Sequence, residues 1–220
     1  MPLPLVCSYT SHSHAQSPDS PYIAGNLPAG LSTPVDESVK ASILRIGADG
    51  SVTNLGLIPG FRGMPMGDID DKGQWWIGTY MGTWGQIDLD PKSAAYAKVA
   101  DQGTEVFEGY INDWCFLPGK PGTLYTINSN GDGAELYTFD TTTHKYTKVR
   151  DYGGLVVNKG AKRETWGSLY AINGNTFLGG INQGGDIYNF PLDSSKATKF
   201  SAGPPSSGSD GARCINAPEP

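Results

Sequence analysis

Tyr137-Thr138-Phe139-Asp140-Thr141-Thr142-Thr143-His144-Lys145-Tyr146-Thr147-Lys148-Val149 is a hairpin spelled out in residue types. Two aromatic residues flank a polar one, a run of Asp and Thr makes the turn, and alternation resumes up to a closing lysine, which is the period-two grammar of paired strands. The hairpin recurs as Ile87-Asp88-Leu89 running to Lys98-Val99 and as Tyr188-Asn189-Phe190 running to Lys199-Phe200, with a looser copy from Leu44-Arg45-Ile46 to Asn54-Leu55. In three copies the second apolar residue stands nine positions before the lysine, and the lysine returns after 50 and then 51 residues (Lys98, Lys148, Lys199). A period of this length built from strands alone marks the blades of a propeller.

An inner pair of strands precedes each of the last three hairpins. The pairs are Gly67-Asp68-Ile69 with Trp75-Trp76-Ile77-Gly78, Asn112-Asp113-Trp114 with Thr123-Leu124-Tyr125-Thr126, and Trp166-Gly167-Ser168-Leu169 with Thr176-Phe177-Leu178-Gly179. Glycine-, proline- and asparagine-rich turns separate their members. The expected fold is all-β, a β-propeller of about four four-stranded blades, standing alone or as part of a larger ring. Three blades are expected at residues 67–101, 111–151 and 166–202. The hairpin from Ser42 to Leu57 reads as outer strands without inner ones, and Ser209-Asp210-Gly211-Ala212 as an innermost strand with nothing after it. Joining them closes a fourth blade from both termini and leaves no open edge. Residues 1–40 lack alternation and read as an extended N-terminal arm, with the propeller domain over 41–216.

Composition narrows the partners. The net charge is −6 with no basic run, so a nucleic acid is not expected. No apolar stretch approaches the roughly 20 residues of a membrane span. Charged residues make up 17%, which leaves Ser, Thr, Asn, Gln and Gly to supply the polar surface and points to an extracellular location. Met1-Pro2-Leu3-Pro4-Leu5-Val6 is too short and too broken by proline for a signal peptide, so the leader is expected to have been removed or the N-terminus cut short. Of three cysteines, Cys115 lies in the apolar run Trp114-Cys115-Phe116-Leu117 and is expected buried and reduced, which leaves Cys7 and Cys214 as a bridge between the two ends.

Gly67-Asp68-Ile69-Asp70-Asp71-Lys72-Gly73-Gln74-Trp75-Trp76, Ile111-Asn112-Asp113-Trp114, Pro118-Gly119-Lys120-Pro121-Gly122-Thr123-Leu124-Tyr125 and the ending Asp210-Gly211-Ala212-Arg213-Cys214 resemble a family of secreted fungal and bacterial β-propeller proteins of unknown function. The resemblance covers roughly residues 41–216. It implies an extracellular propeller, with further blades before this segment in longer members, and brings no catalytic residues.

Two chemistries compete for the inner-strand ends. Asp68, Asp113 and Asp210 stand at matching places in the pattern, with Asn112 beside Asp113 and Glu164 just before Trp166. Converging oxygens of Asp68, Asp113, Glu164 and Asp210 could hold Ca²⁺, and such an ion could polarise a carbonyl in a propeller hydrolase, lactonase or lyase. The alternative is that each Asp accepts hydrogen bonds from nearby backbone. Trp84 and Trp166 stand near turns and could offer flat faces to sugar rings, with Asn112 and Asp113 at the edge for hydroxyls; packing between blades is the alternative. Asn128 to Gly133 matches half of a calcium loop, but position 139 is Phe where that loop needs a Glu, so it reads as a turn. His12-Ser13-His14 on the arm is weak as a metal grip, and no nucleophile elbow, phosphate loop or dinucleotide fingerprint is present. The sequence therefore favours a non-catalytic binding or scaffold propeller with a glycan or an extracellular protein as partner, and a Ca²⁺-dependent hydrolase as the competing function.

Overall fold

Fourteen antiparallel strands arranged as consecutive meanders make up the computed structural model, which describes residues 42–46, 51–61, 66–80, 82–130, 133–155, 165–206 and 209–213. The hairpin β1 (Ser42–Ile46) and β2 (Val52–Leu57) forms a two-stranded sheet. The first blade is β3 (Met66–Ile69), β4 (Gln74–Gly78), β5 (Thr83–Asp88) and β6 (Val99–Thr104). The second is β7 (Trp114–Phe116), β8 (Thr123–Asn130), β9 (Gly133–Asp140) and β10 (Lys145–Gly154). The third is β11 (Trp166–Asn173), β12 (Thr176–Ile181), β13 (Asp186–Pro191) and β14 (Thr198–Ala202). Each of these sheets runs in chain order from inner to outer strand, so the blade architecture expected from the repeat is the one observed.

Burial explains the stacking. Ile43, Ile58 and Phe61 pack on Trp75, Ile77 and Ile87 of the first blade. Met66, Trp76 and Trp84 of that blade meet Ile111, Trp114, Phe116 and Phe139 of the second. Cys115, Ile127 and Leu136 of the second meet Trp166, Leu169 and Phe177 of the third. The hydrophobic layers thus lie between sheets, where no single meander could bury its face alone. Trp114 shows the fit required: its indole lies where a Cβ on Gly78 would come within 2.6 Å, and its N–H donates to the Trp76 carbonyl at 3.2 Å.

One stitch repeats in each blade. Gly82, in the β4–β5 turn, has φ +82°, its carbonyl accepts the Glu105 N–H at 3.0 Å, and a Cβ there would overlap the Glu105 carbonyl oxygen. Gly185 with Gly203 and Gly133 with Gly154 occupy the corresponding places. The chain leaving each outermost strand is thereby tied back to the middle of its own blade.

Of the recurring lysines, Lys148 and Lys199 lie on the outermost strands β10 and β14 and only Lys98 lies off its strand, β6. Lys148 and Lys199 pair with Tyr137 and Tyr188, but the matching residue of the first blade is Val99, opposite Ile87. A register shift between Gln86 and Ile87, with Ala97 in the left-handed region at φ 59°, moves Lys98 off the strand and into the turn. Lys148 binds Glu135 at 2.6 Å and Lys199 binds Asp186 at 2.7 Å, each acid standing thirteen residues before its lysine on the neighbouring strand. Ser209 to Ala212, expected as an innermost strand, is not a strand; Gly211 lies against the backbone of Leu169 on β11. Cys115 is buried with a free thiol, as expected. Cys7, Cys214, the His12–His14 pair and residues 1–40 lie outside the described residues.

Candidate functional site at the inner-strand mouth

Antiparallel meanders put alternate connections at the same end of a blade. The start of β3, the β4–β5 turn, the β6–β7 connection and the end of β8 therefore share one end, where β7 and β11 also begin. Pairing fixes which residues match between blades: Ile69, Trp114 and Leu169 occupy one row through their partners Trp75, Thr126 and Gly179. The residue before each is Asp68, Asp113 or Ser168, so the third blade carries a hydroxyl where the first two carry carboxylates.

Asp68 and Asp113 are buried, and each spends both oxygens on backbone. Asp68 Oδ1 accepts its own strand's Ile69 N–H at 2.8 Å, and Oδ2 accepts the Phe116 N–H of the second blade at 2.7 Å. Asp113 repeats the arrangement toward the third blade, with Oδ1 on the Trp114 N–H at 2.8 Å and Oδ2 on the Leu169 N–H at 2.5 Å. Asp210 Oδ1 accepts the Gly211 N–H at 2.9 Å in the same style. Each carboxylate of the first two blades is thus a clamp across a blade seam.

The clamps sit in an unfavourable field. Burial pushes the Asp68 carboxyl up from 3.8 to about 7, outweighing the two backbone N–H groups that favour its ionised form, and Asp210 and Asp70 add to the rise. Burial also holds Asp113 well above the ordinary carboxylate range, and the charges of Asp210 and Asp68 act on it. Cys115, on the same inner wall, has its thiol pushed up by burial and by Asp68 and Asp113.

Among the described residues, no three His, Cys, Asp or Glu side chains are grouped to hold a metal ion. Asp68, Asp113 and Asp210 are therefore not gathered into the metal-holding set the repeat suggested, and Glu164 lies outside the described residues. The two tryptophans are not exposed faces. Trp84 is 4% exposed: His144 of the second blade stacks on it at 3.8 Å, and Gly103 opposite lets the indole lie down on β6. Trp166 is 2% exposed and packs edge-on against Tyr188 and Phe190. Both fill inter-strand space, which corrects their expected presentation to solvent.

Asn112 is buried beside Asp113, and its Nδ2 has no hydrogen-bond partner among the described residues. Sequence reading missed its neighbours. Ser129 Oγ is also buried without a partner among the described residues, although the Ser129 backbone N–H donates to the Tyr110 carbonyl at 3.1 Å. Tyr80 and Tyr110, from different connections, stack at 5.4 Å with their planes 10° apart and stay half-buried. Thirty residues separate the two tyrosines, and no local pattern joins them.

In shape the chain is similar to a streptogramin B lyase structure (13% identity, TM-score 0.45), covering 74% of this chain and 49% of that one. It is also similar to the β-propeller domain of Myceliophteria thermophila Cps50 (Swd1), at 10% identity and TM-score 0.46 over 76% of this chain and 54% of that one. A functionally unknown protein from Desulfotomaculum acetoxidans matches at 14% identity and TM-score 0.46, over 77% and 52% of the two chains. The chain spans about half the length of these structures. No curated protein matches its sequence. Residues 17–216 match a family model described as a repeat of unknown function, and the chain belongs to that family, DUF6923.

Proposed function

We propose that this chain is a non-catalytic binding or scaffold propeller that works outside the cell and recognises a carbohydrate. The observation that carries the reading is the use made of the inner carboxylates. All four oxygens of Asp68 and Asp113 hold backbone N–H groups at the seams, so the acidic groups a metal-assisted hydrolase, lactonase or lyase would draw on are committed to joining blades. Beside them the Asn112 Nδ2 has no hydrogen-bond partner among the described residues, which leaves a donor not committed to a seam. A surface poor in charge, with 17% charged residues, suits a neutral polar partner and an extracellular setting.

The test is retention of the full chain on a glycan array and on immobilised cell-wall polysaccharides, with and without prior chelator treatment. The reading expects retention on at least one neutral glycan, unchanged by chelator. No retention on any glycan sinks the carbohydrate reading. Glycan cleavage that chelator abolishes would favour the Ca²⁺-dependent hydrolase instead.

A further inference from the structure

We infer that an extra residue in each outermost strand closes the rim of the propeller to strand addition by a second copy of this chain. Four pairings share the same irregularity. Leu44 pairs with Asn54 and Ile43 with Gly56, so Leu55 has no cross-strand partner. Ile87 pairs with Val99 and Gln86 with Asp101, which leaves out Ala100. Tyr137 takes Lys148 and Leu136 takes Arg150, with Val149 between; Tyr188 takes Lys199 and Ile187 takes Ser201, with Phe200 between. Each is a one-residue bulge on the outer strand of an outer hairpin. The middle pairings β4–β5, β8–β9 and β12–β13 run without a shift in all three blades. All four outermost strands carry the bulge, and among the described residues these are strands whose far edge has no neighbour.

An open strand edge presents N–H and C=O groups at a two-residue repeat, and a strand from another molecule adds where that repeat runs on. A bulge breaks the repeat and twists the edge. In β10 and β6 the longest regular run left is four residues, 145–148 and 101–104. In β2 it is three, 52–54, and in β14 it is two on either side of Phe200. A strand of ordinary length pairs over about five or six residues. The lysines beside two of the bulges do not guard the edge by themselves, since Lys148 and Lys199 are drawn back onto Glu135 and Asp186 of their own blades. An apolar docking site does not explain the repeat either. Val149 and Phe200 are exposed, at 48% and 66%, but Ala100 offers only a methyl group and Leu55 packs against the core of the first blade. The backbone irregularity recurs, and the side chain on it varies.

The experiment is sedimentation velocity of the full chain from roughly micromolar to millimolar concentration, the range in which exposed strand edges associate. It uses wild type, single-residue deletions of Ala100, Val149 or Phe200, and Phe200→Ser, with the thermal unfolding of each. Deleting the extra residue brings its flanking pairs into one register: without Phe200, Lys199 opposite Tyr188 runs directly into Ser201 opposite Ile187. The deletions are expected to raise the average mass about twofold or more as concentration rises, through edge-to-edge pairing. Hydrogen exchange should then find new protection on β14 in the Phe200 deletion. Wild type and Phe200→Ser are expected to stay at one mass, because serine keeps the bulge. Deletions that fold and keep the wild-type mass at every concentration overturn the inference. So does a wild type that associates with protection of its outermost strands. A change of mass in Phe200→Ser alone would make the exposed ring a docking group and overturn it too. Loss of cooperative unfolding in all three deletions would make the extra residue a requirement of the blade itself, which also overturns it.

Discussion

Asp68→Asn should reverse its effect on stability between mildly acidic and mildly basic solution. The wild-type carboxyl is raised from 3.8 to about 7, chiefly by burial. Between those values the folded protein holds a proton that the unfolded chain has released, so stability falls as pH rises. A shift of that size corresponds to roughly 4 kcal/mol, fully present below pH 4 and lost by about pH 7. Asp113 shifts in the same direction and steepens the fall. The Asn variant carries no charge at any pH. Its amide keeps one acceptor and turns an N–H group toward one of the backbone donors, Ile69 or Phe116, costing about 1–3 kcal/mol at all pH values. The variant should therefore be less stable than wild type at pH 4, close to it at pH 5 and more stable at pH 8. Urea unfolding followed by tryptophan fluorescence between pH 4 and 8 measures both lines. The part of that window above pH 5 is clear of the region where Asp88 and Asp140, whose carboxyls are lowered by hydrogen bonds, would add the opposite slope. A wild-type stability that is flat or rises from pH 5 to 8, or a variant that keeps the wild-type slope, would refute the reasoning.

Trp84→Ala should lower stability by about 3–5 kcal/mol, since a buried indole and its His144 stack are lost, and denaturant titration reads this directly. Lys148→Met should lower the melting temperature more than Lys199→Met, because Glu135 is more deeply buried than Asp186 and has more to lose with its partner; calorimetry of the two variants compares them. Cys115 should resist a thiol reagent in the native protein and react once urea unfolds it, because its thiol is buried and its proton is held tightly.

The blade plan was legible because it is written in local spacing: each hairpin repeats its apolar pair, turn and lysine, and strand pairing within a meander is fixed by nearest neighbours. The acids Glu135 and Asp186 repeat just as regularly before Lys148 and Lys199, so the edge ion pairs could have been found the same way. What lies between blades was not legible. Asp68 and Asp113 were visible as a repeated pair, but whether each carboxylate faces the channel or reaches across to Phe116 or Leu169 depends on how one sheet is staggered against the next. Trp84 looked exposed because it stands beside a turn; it is covered by His144, sixty residues later, and room for it is made by Gly103. Tyr80 and Tyr110 meet only after two connections of different strands are brought to one end.

The central claim is that the inner carboxylates join blades and leave the mouth to bind rather than catalyse. Thermal unfolding of chelator-treated protein with and without millimolar Ca²⁺, on wild type and Asp113→Asn, tests it most directly, since an ion bound by the native state alone raises the melting temperature by mass action. The account predicts the same melting temperature with and without Ca²⁺ for each protein, and a lower one for Asp113→Asn at pH 5, where the seam to Leu169 loses an acceptor. A Ca²⁺-dependent rise in wild type that Asp113→Asn abolishes would contradict it.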